Sequence, residues 1–155
     1  RSIPARAAAA SVCKGVVDSL MAISKQTKVV IMGDLNDDPI SPSLTKVLGA
    51  TGSIKDLKDG GLYNPWYDFY KRGIGTIAYQ DAWGLFDQVV ISKGWLDKKQ
   101  AGYFFQKATI FNREFLIQQT GRYKGYPKRT WDGTTYNYGY SDHLPVFLTM
   151  LKKVN

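Results

Sequence analysis

The sequence predicts an α/β domain from three observations: a helical periodicity near the N-terminus, an apolar strand directly after it that ends in Gly33-Asp34, and strand-like runs at residues 86–92, 103–111 and 144–151. Val12, Val16, Leu20 and Ile23 recur at helical spacing with Ala-rich flanks, so an amphipathic helix is expected over residues 7–24. Residues 28–32 then read as a buried strand. It closes on Gly33, which places Asp34 at the carboxyl end of the strand, where α/β layers commonly set functional groups. Ser41-Pro42 followed by Leu44, Val47 and Leu48 has the cap, first-turn proline and periodicity of a short helix closed near Gly49. Residues 52–75 read as loop, and the aromatic run between Leu62 and Tyr70 is expected to cover the core or line a cleft. No repeat, low-complexity tract or linker interrupts the chain, so residues 1–155 are read as one domain.

Composition sets the limits. With 155 residues, 44% apolar and 14% aromatic, the chain can bury a real core, which excludes a disordered segment. The single cysteine, Cys13, falls in the helical pattern and is expected to be a small buried side chain. No apolar run approaches the ~20 residues needed to cross a bilayer, and the chain opens at Arg1 without an initiator Met or a signal-peptide pattern. A net charge of +8 favours anionic partners, whether nucleic acid, phosphorylated small molecules or anionic lipid headgroups. The pairs Lys98-Lys99 and Lys152-Lys153 read as solvated surface. From Gly121 to Arg129, by contrast, Arg122, Lys124 and Arg129 alternate with Tyr123 and Tyr126, a basic and aromatic mixture suited to phosphate contact and base stacking.

The chemistry concentrates in two acidic blocks. Gly33-Asp34-Leu35-Asn36-Asp37-Asp38-Pro39 follows the first strand, and Ser141-Asp142-His143, with the only histidine, precedes the last. Phosphoryl transfer to water needs a positioned and deprotonated water, carboxylates for a metal, and a donor to the developing charge; Asp34, Asn36, Asp142 and His143 are the right side chains. Asp and Asn also turn a chain after a strand with no further role, so one block alone decides nothing. Asp34, Asn36 and Asp38 imitate the opening of a calcium loop, but Pro39 stands where the loop needs Gly and Thr45 where it needs Glu. Asp87, in an otherwise apolar strand, is costly to bury without a partner.

Gly33-Asp34-Leu35-Asn36, then Phe86-Asp87-Gln88-Val89-Val90-Ile91-Ser92, then Ser141-Asp142-His143-Leu144-Pro145-Val146 resemble, in order and spacing, the last three signature blocks of the endonuclease/exonuclease/phosphatase superfamily. The resemblance implies a DNase I-like four-layered αββα sandwich, of which the chain supplies mainly one sheet and its helices, and hydrolysis of a phosphate ester dependent on Mg²⁺, with Mn²⁺ as a substitute. Position by position, it implies that Asp34 orients or deprotonates the attacking water, Asn36 donates to the phosphate, and Asp142, with Asp34, serves the metal. It further implies that His143 contacts the phosphate or moves a proton while Asp87 fixes its ring, and Gly75-Thr76 resembles a Gly-Thr on the substrate side. With Thr76, the basic residues Arg122, Lys124 and Arg129 complete the expected substrate contacts.

The matching stretch, residues 8–152, corresponds to the C-terminal half of that fold, without the Asn and the principal metal-binding Glu of its first half. The expectation is therefore a fragment with weak metal affinity and little turnover alone, whose exposed apolar face is covered by the missing half or by a second copy. A non-catalytic anion- or nucleic-acid-binding domain is the alternative. Phosphodiesterase or phosphatase chemistry of low specificity is placed ahead of DNA repair, because residues 52–75 and 121–139 lack the basic density of a dedicated DNA binder.

Overall fold

The computed structural model describes residues 2–153, so Arg1, on which the expectation of a preceding segment partly rests, lies outside the described residues. Along the chain run α1 (Ser2–Ile23), β1 (Val30–Asp34), a π-helical turn (Ser43–Val47), β2 (Ala50–Thr51), β3 (Leu62–Tyr63), α2 (Tyr67–Lys71), β4 (Ile77–Tyr79) and β5 (Ala82–Gly84). They are followed by β6 (Asp87–Ser92), β7 (Tyr103–Ile110), β8 (Trp131–Asp132), β9 (Thr135–Tyr136) and β10 (Val146–Lys152), with 3-10 turns at Lys93–Leu96 and Glu114–Leu116. No helix among them is long and apolar enough to cross a membrane.

The architecture is a mixed α/β sandwich built on β6. A four-stranded sheet runs in the order β1-β6-β3-β2, and β7 and β10 form a separate antiparallel ribbon. Because successive side chains of a strand point to opposite faces, β6 feeds two cores. Val90 packs with Val17 and Met21 of α1 and with Leu44, Leu48 and Leu62. Val89 and Ile91 pack with Trp66 and Leu85 against Phe105, Ala108, Ile110, Val146, Leu148 and Met150 of the ribbon. The order of layers is thus helix, sheet, ribbon; no second helical layer covers the ribbon among the described residues.

Several expectations need correction. The helix forms, but Val12 and Val16 are 70% and 57% exposed and Ile23 also faces solvent, while Val17 and Met21 are buried with Ala10 beside them. The helix is apolar on two faces, and the small side chain of Ala10 lets the second one approach the sheet. Cys13 is exposed rather than buried. β1 is an edge strand, not a buried one: Ile31 meets the α1 core, but Val30 and Met32 are open to solvent. In register Val30 stands opposite Ile91 and Met32 opposite Val89, so this open apolar surface is the same face of the sheet that the ribbon covers at β6.

Residues 52–75 are not all loop. They hold β3 and α2, and Trp66 between them is completely buried, its indole N–H donating to the Val89 carbonyl at 3.2 Å. The short helix near residue 44 is a π turn, and its expected cap at Ser41 acts through the backbone carbonyl, which accepts from the Leu44 and Thr45 N–H groups.

Candidate active site at the β1 and β6 strand ends

β1 and β6 pair antiparallel so that Asp34 lies directly opposite Asp87. Cross-strand partners project to the same face, here the face turned toward the ribbon. The chain returns to that place just before β10. Leu144 N–H donates to the Thr76 carbonyl at 2.8 Å, and His143 Nδ1 meets Asp87 Oδ2 at 2.7 Å. Three segments far apart in sequence, at Asp34, Asp87 and His143, therefore converge at one strand end.

The Asp87–His143 pair is partly shielded, with side chains 19% and 22% exposed. Donation from Nδ1 to the carboxylate sets the tautomer and leaves Nε2 as the nitrogen for an incoming group. The same Asp87 oxygen accepts the Thr76 hydroxyl at 2.5 Å, which fixes the carboxylate in turn. Thr76 was expected to touch substrate. It is instead fully buried with its hydroxyl committed to Asp87, so it positions the pair rather than reaching a ligand. Gly75 precedes it because a Cβ there would lie 2.4 Å from the Gly84 carbonyl oxygen of β5.

Asp34 and Asn36 sit on a tight turn. Asn36 takes the left-handed conformation at φ 51°, which Asn tolerates better than most residues, and its N–H donates to Asp34 Oδ1 at 2.9 Å. Both residues are exposed, which leaves the second Asp34 oxygen and the Asn36 amide facing solvent at the site. Asp142 is exposed in the Ser141–His143 turn, where the Ser141 hydroxyl accepts from the His143 N–H at 3.0 Å.

Sequence reasoning missed the residues that hold this loop. Asp37 pairs with Arg6 of α1 at 2.8 Å and accepts the Ser43 hydroxyl at 2.5 Å, while Asp38 accepts the Leu85 N–H at 2.7 Å. Beneath them lies Gln88, completely buried. Its amide N–H groups reach the Asp37 and Leu85 carbonyls at 2.6 and 2.8 Å, and its oxygen accepts from Asn64 Nδ2 at 2.7 Å. A glutamine inside an apolar strand was the available signal, since a buried amide needs partners. Gln88→Leu should leave two carbonyls and one amide unpaired and destabilise by about 3 kcal/mol, read from urea unfolding; a change below ~1 kcal/mol would show that water replaces the network.

Among the described residues no group of three or more His, Cys, Asp and Glu side chains is placed to hold a metal ion. Asp34 and Asp142, the expected metal residues, therefore do not form a metal site by themselves, and Asp87 and His143 are engaged with each other. Arg122 and Arg129 line a cavity beside β4, whereas Lys124 is exposed outside its lining.

The layered α/β sandwich carries an aspartate–histidine pair at its strand ends, and the family match places the chain in a phosphoesterase-type superfamily. The chain belongs to the endonuclease/exonuclease/phosphatase family, whose model matches residues 1–152. Members of that family generally hydrolyse phosphate esters with a divalent metal ion. No curated protein and no solved structure matches the chain.

Proposed function

We propose that this chain carries the base and histidine side of a metal-dependent phosphoesterase, acting on a phosphodiester or phosphomonoester. The observation behind the reading is the convergence of Asp34 with the Asp87–His143 pair across one strand register. Asp34 takes the proton of a water as its oxygen bonds to phosphorus, and the ester P–O bond breaks, its oxygen leaving as the alcohol once it gains a proton. Asn36 donates to the phosphate oxygen that gains charge, a type of contact worth about 10²-fold or more in rate. His143, its ring held by Asp87, presents Nε2 to the phosphate as a donor or to the leaving oxygen as a proton carrier.

Mg²⁺, or Mn²⁺ in its place, would neutralise charge on the phosphate. Asp34 and Asp142 are the side chains that would share such an ion with ligands beyond the described residues, from another segment of the same domain or from a second copy. The open Val30 and Met32 face beside Asp34 is where that partner would sit. The second reading is an anion- or nucleic-acid-binding domain without catalysis, which suits the lack of a metal-holding group among the described residues; Asp34, Asn36, Asp87, Asp142 and His143 together favour the first.

One set of assays separates the two. The natural protein, with Mg²⁺, should hydrolyse bis(p-nitrophenyl) phosphate or a phosphomonoester, and Asp34→Asn should remove that activity. These 155 residues alone should show Mg²⁺ affinity no tighter than millimolar by calorimetry and little turnover. A natural protein with no hydrolysis of any phosphate ester leaves the binding reading. Tight Mg²⁺ binding and strong turnover by the 155 residues alone would overturn the view that the ligand set is incomplete.

A further inference from the structure

The helix side of the sheet holds a cavity of 180 Å³ that the hydrolytic site does not use. Its apolar lining comes from Ala10 of α1, Ile31 of β1, Leu35 of the turn after it, and Leu44 and Leu48 at the π turn. Space remains because α1 presents the small side chains of Ala9 and Ala10 there. Apolar cavities of about this size stay dry and accept a single ring, as an engineered one of about 150 Å³ accepts benzene.

One polar group in the lining has no partner. Arg6 Nε is buried and makes no hydrogen bond, although Asp37 Oδ2 lies 2.8 Å away in the ion pair. That same oxygen already accepts the Ser43 hydroxyl at 2.5 Å. Buried donors in folded proteins are nearly always paired, so this one favours an acceptor brought beside it. Arg6, Asp37 and Ser43 all line the cavity, so its occupant sits next to that donor.

The cavity also backs onto the candidate active site. Asp34 and Leu35 belong to its lining, and the Leu35 N–H donates at 2.8 Å to the carbonyl of Phe86, the neighbour of Asp87. Along β1, Ile31 faces the α1 core, while Asp34 stands opposite Asp87 on the face turned to the ribbon. The cavity therefore meets the turn from behind. Side chains that border an empty space lack dispersion partners on that side, so filling it holds the turn more firmly.

We propose that this cavity binds a small neutral molecule, one ring or a short branched chain bearing a hydrogen-bond acceptor, and that the occupant braces the Asp34–Asp37 turn from behind. The acceptor answers Arg6 Nε. Neutrality follows because Asp37 already balances the Arg6 charge, and a further charge in an apolar cavity would have no partner. Such a molecule is a regulatory ligand and not a substrate, since the Asp87–His143 pair lies on the other face of the sheet.

Cys13, exposed and in the lining, gives the readout. The natural protein is labelled with iodoacetamide and the Cys13 peptide is followed by mass spectrometry, with divalent ions and phosphate esters omitted, so hydrolysis plays no part in the result. Acetophenone should slow the labelling with a Kd of about 1 mM or tighter. Cumene, its near isostere without the carbonyl, and the anion benzoate should each protect about tenfold less well. Arg6→Met should abolish the preference for acetophenone over cumene. Ala10→Leu should fill the cavity and remove protection; Ala9→Leu, at an exposed position in the same wall, serves if thermal unfolding shows that Ala10→Leu does not fold. Acetophenone should also slow amide hydrogen exchange over residues 33–38 about threefold or more. No protection by acetophenone, equal protection by all three probes, protection that survives a folded filling variant, or unchanged exchange while Cys13 is protected would overturn the proposal.

Discussion

Trp66→Ala is expected to destabilise the protein by about 3–5 kcal/mol, the range seen when a large buried aromatic is truncated. Trp66 has no exposed surface and packs with Leu85, Val89 and Ile91 in the core between the sheet and the ribbon. Its ring centroid lies 5.4 Å from that of Phe69, which ties α2 to the same core. The substitution also leaves the Val89 carbonyl without the indole donor. Since a domain of this size is held by only ~5–15 kcal/mol, the variant should be partly unfolded at 37 °C. A urea midpoint close to that of the unmodified chain would refute the assignment of Trp66 as the keystone of this core.

Asp87→Asn should lower hydrolysis by the natural protein about 10²-fold or more while changing stability little. The amide keeps the shape of the carboxylate but can turn an N–H toward His143, which disturbs the tautomer that leaves Nε2 for the phosphate. His143→Ala should cost at least as much, and the double variant should be no worse than His143→Ala alone, because the two residues act as one unit. Additive losses would show that Asp87 acts independently of the histidine. Thermal unfolding of each variant guards against a general loss of fold.

The long strands were legible in the sequence because each carries enough residues for its pattern to declare itself. β6, β7 and β10 fall within one or two residues of the runs read at 86–92, 103–111 and 144–151. The strands that escaped, β2 to β5 and β8 to β9, are two or three residues long. Such segments have no readable period; they are strands only because a neighbour supplies hydrogen bonds, as β6 does for β3. The choice of buried face on α1 was misread for a related reason. Two apolar stripes existed, and only the sheet decided that Val17 and Met21 would meet it.

The candidate site divides in the same way. Asp34, Asn36, Asp87, Asp142 and His143 were visible as residue types, since turn chemistry and costly polar groups in apolar strands stand out locally. Thr76 was visible, but its task was not, because the direction of a hydroxyl depends on the strand beside it. The supporting roles of Asp37, Asp38 and Gln88 were not legible, although all three stand in the quoted blocks, because their partners lie as far as 51 residues away along the chain.

By itself, then, the sequence determined the α/β class, the main strands and the kinds of side chain available for phosphate chemistry, all of which follow from local periodicity and residue type. Only the tertiary structure decided that Thr76 serves Asp87 and not a ligand, that Cys13 and the β1 face are open, and that the described residues assemble no metal cage. Those outcomes depend on strand register and on which faces are covered, and both are set by distant segments meeting in space.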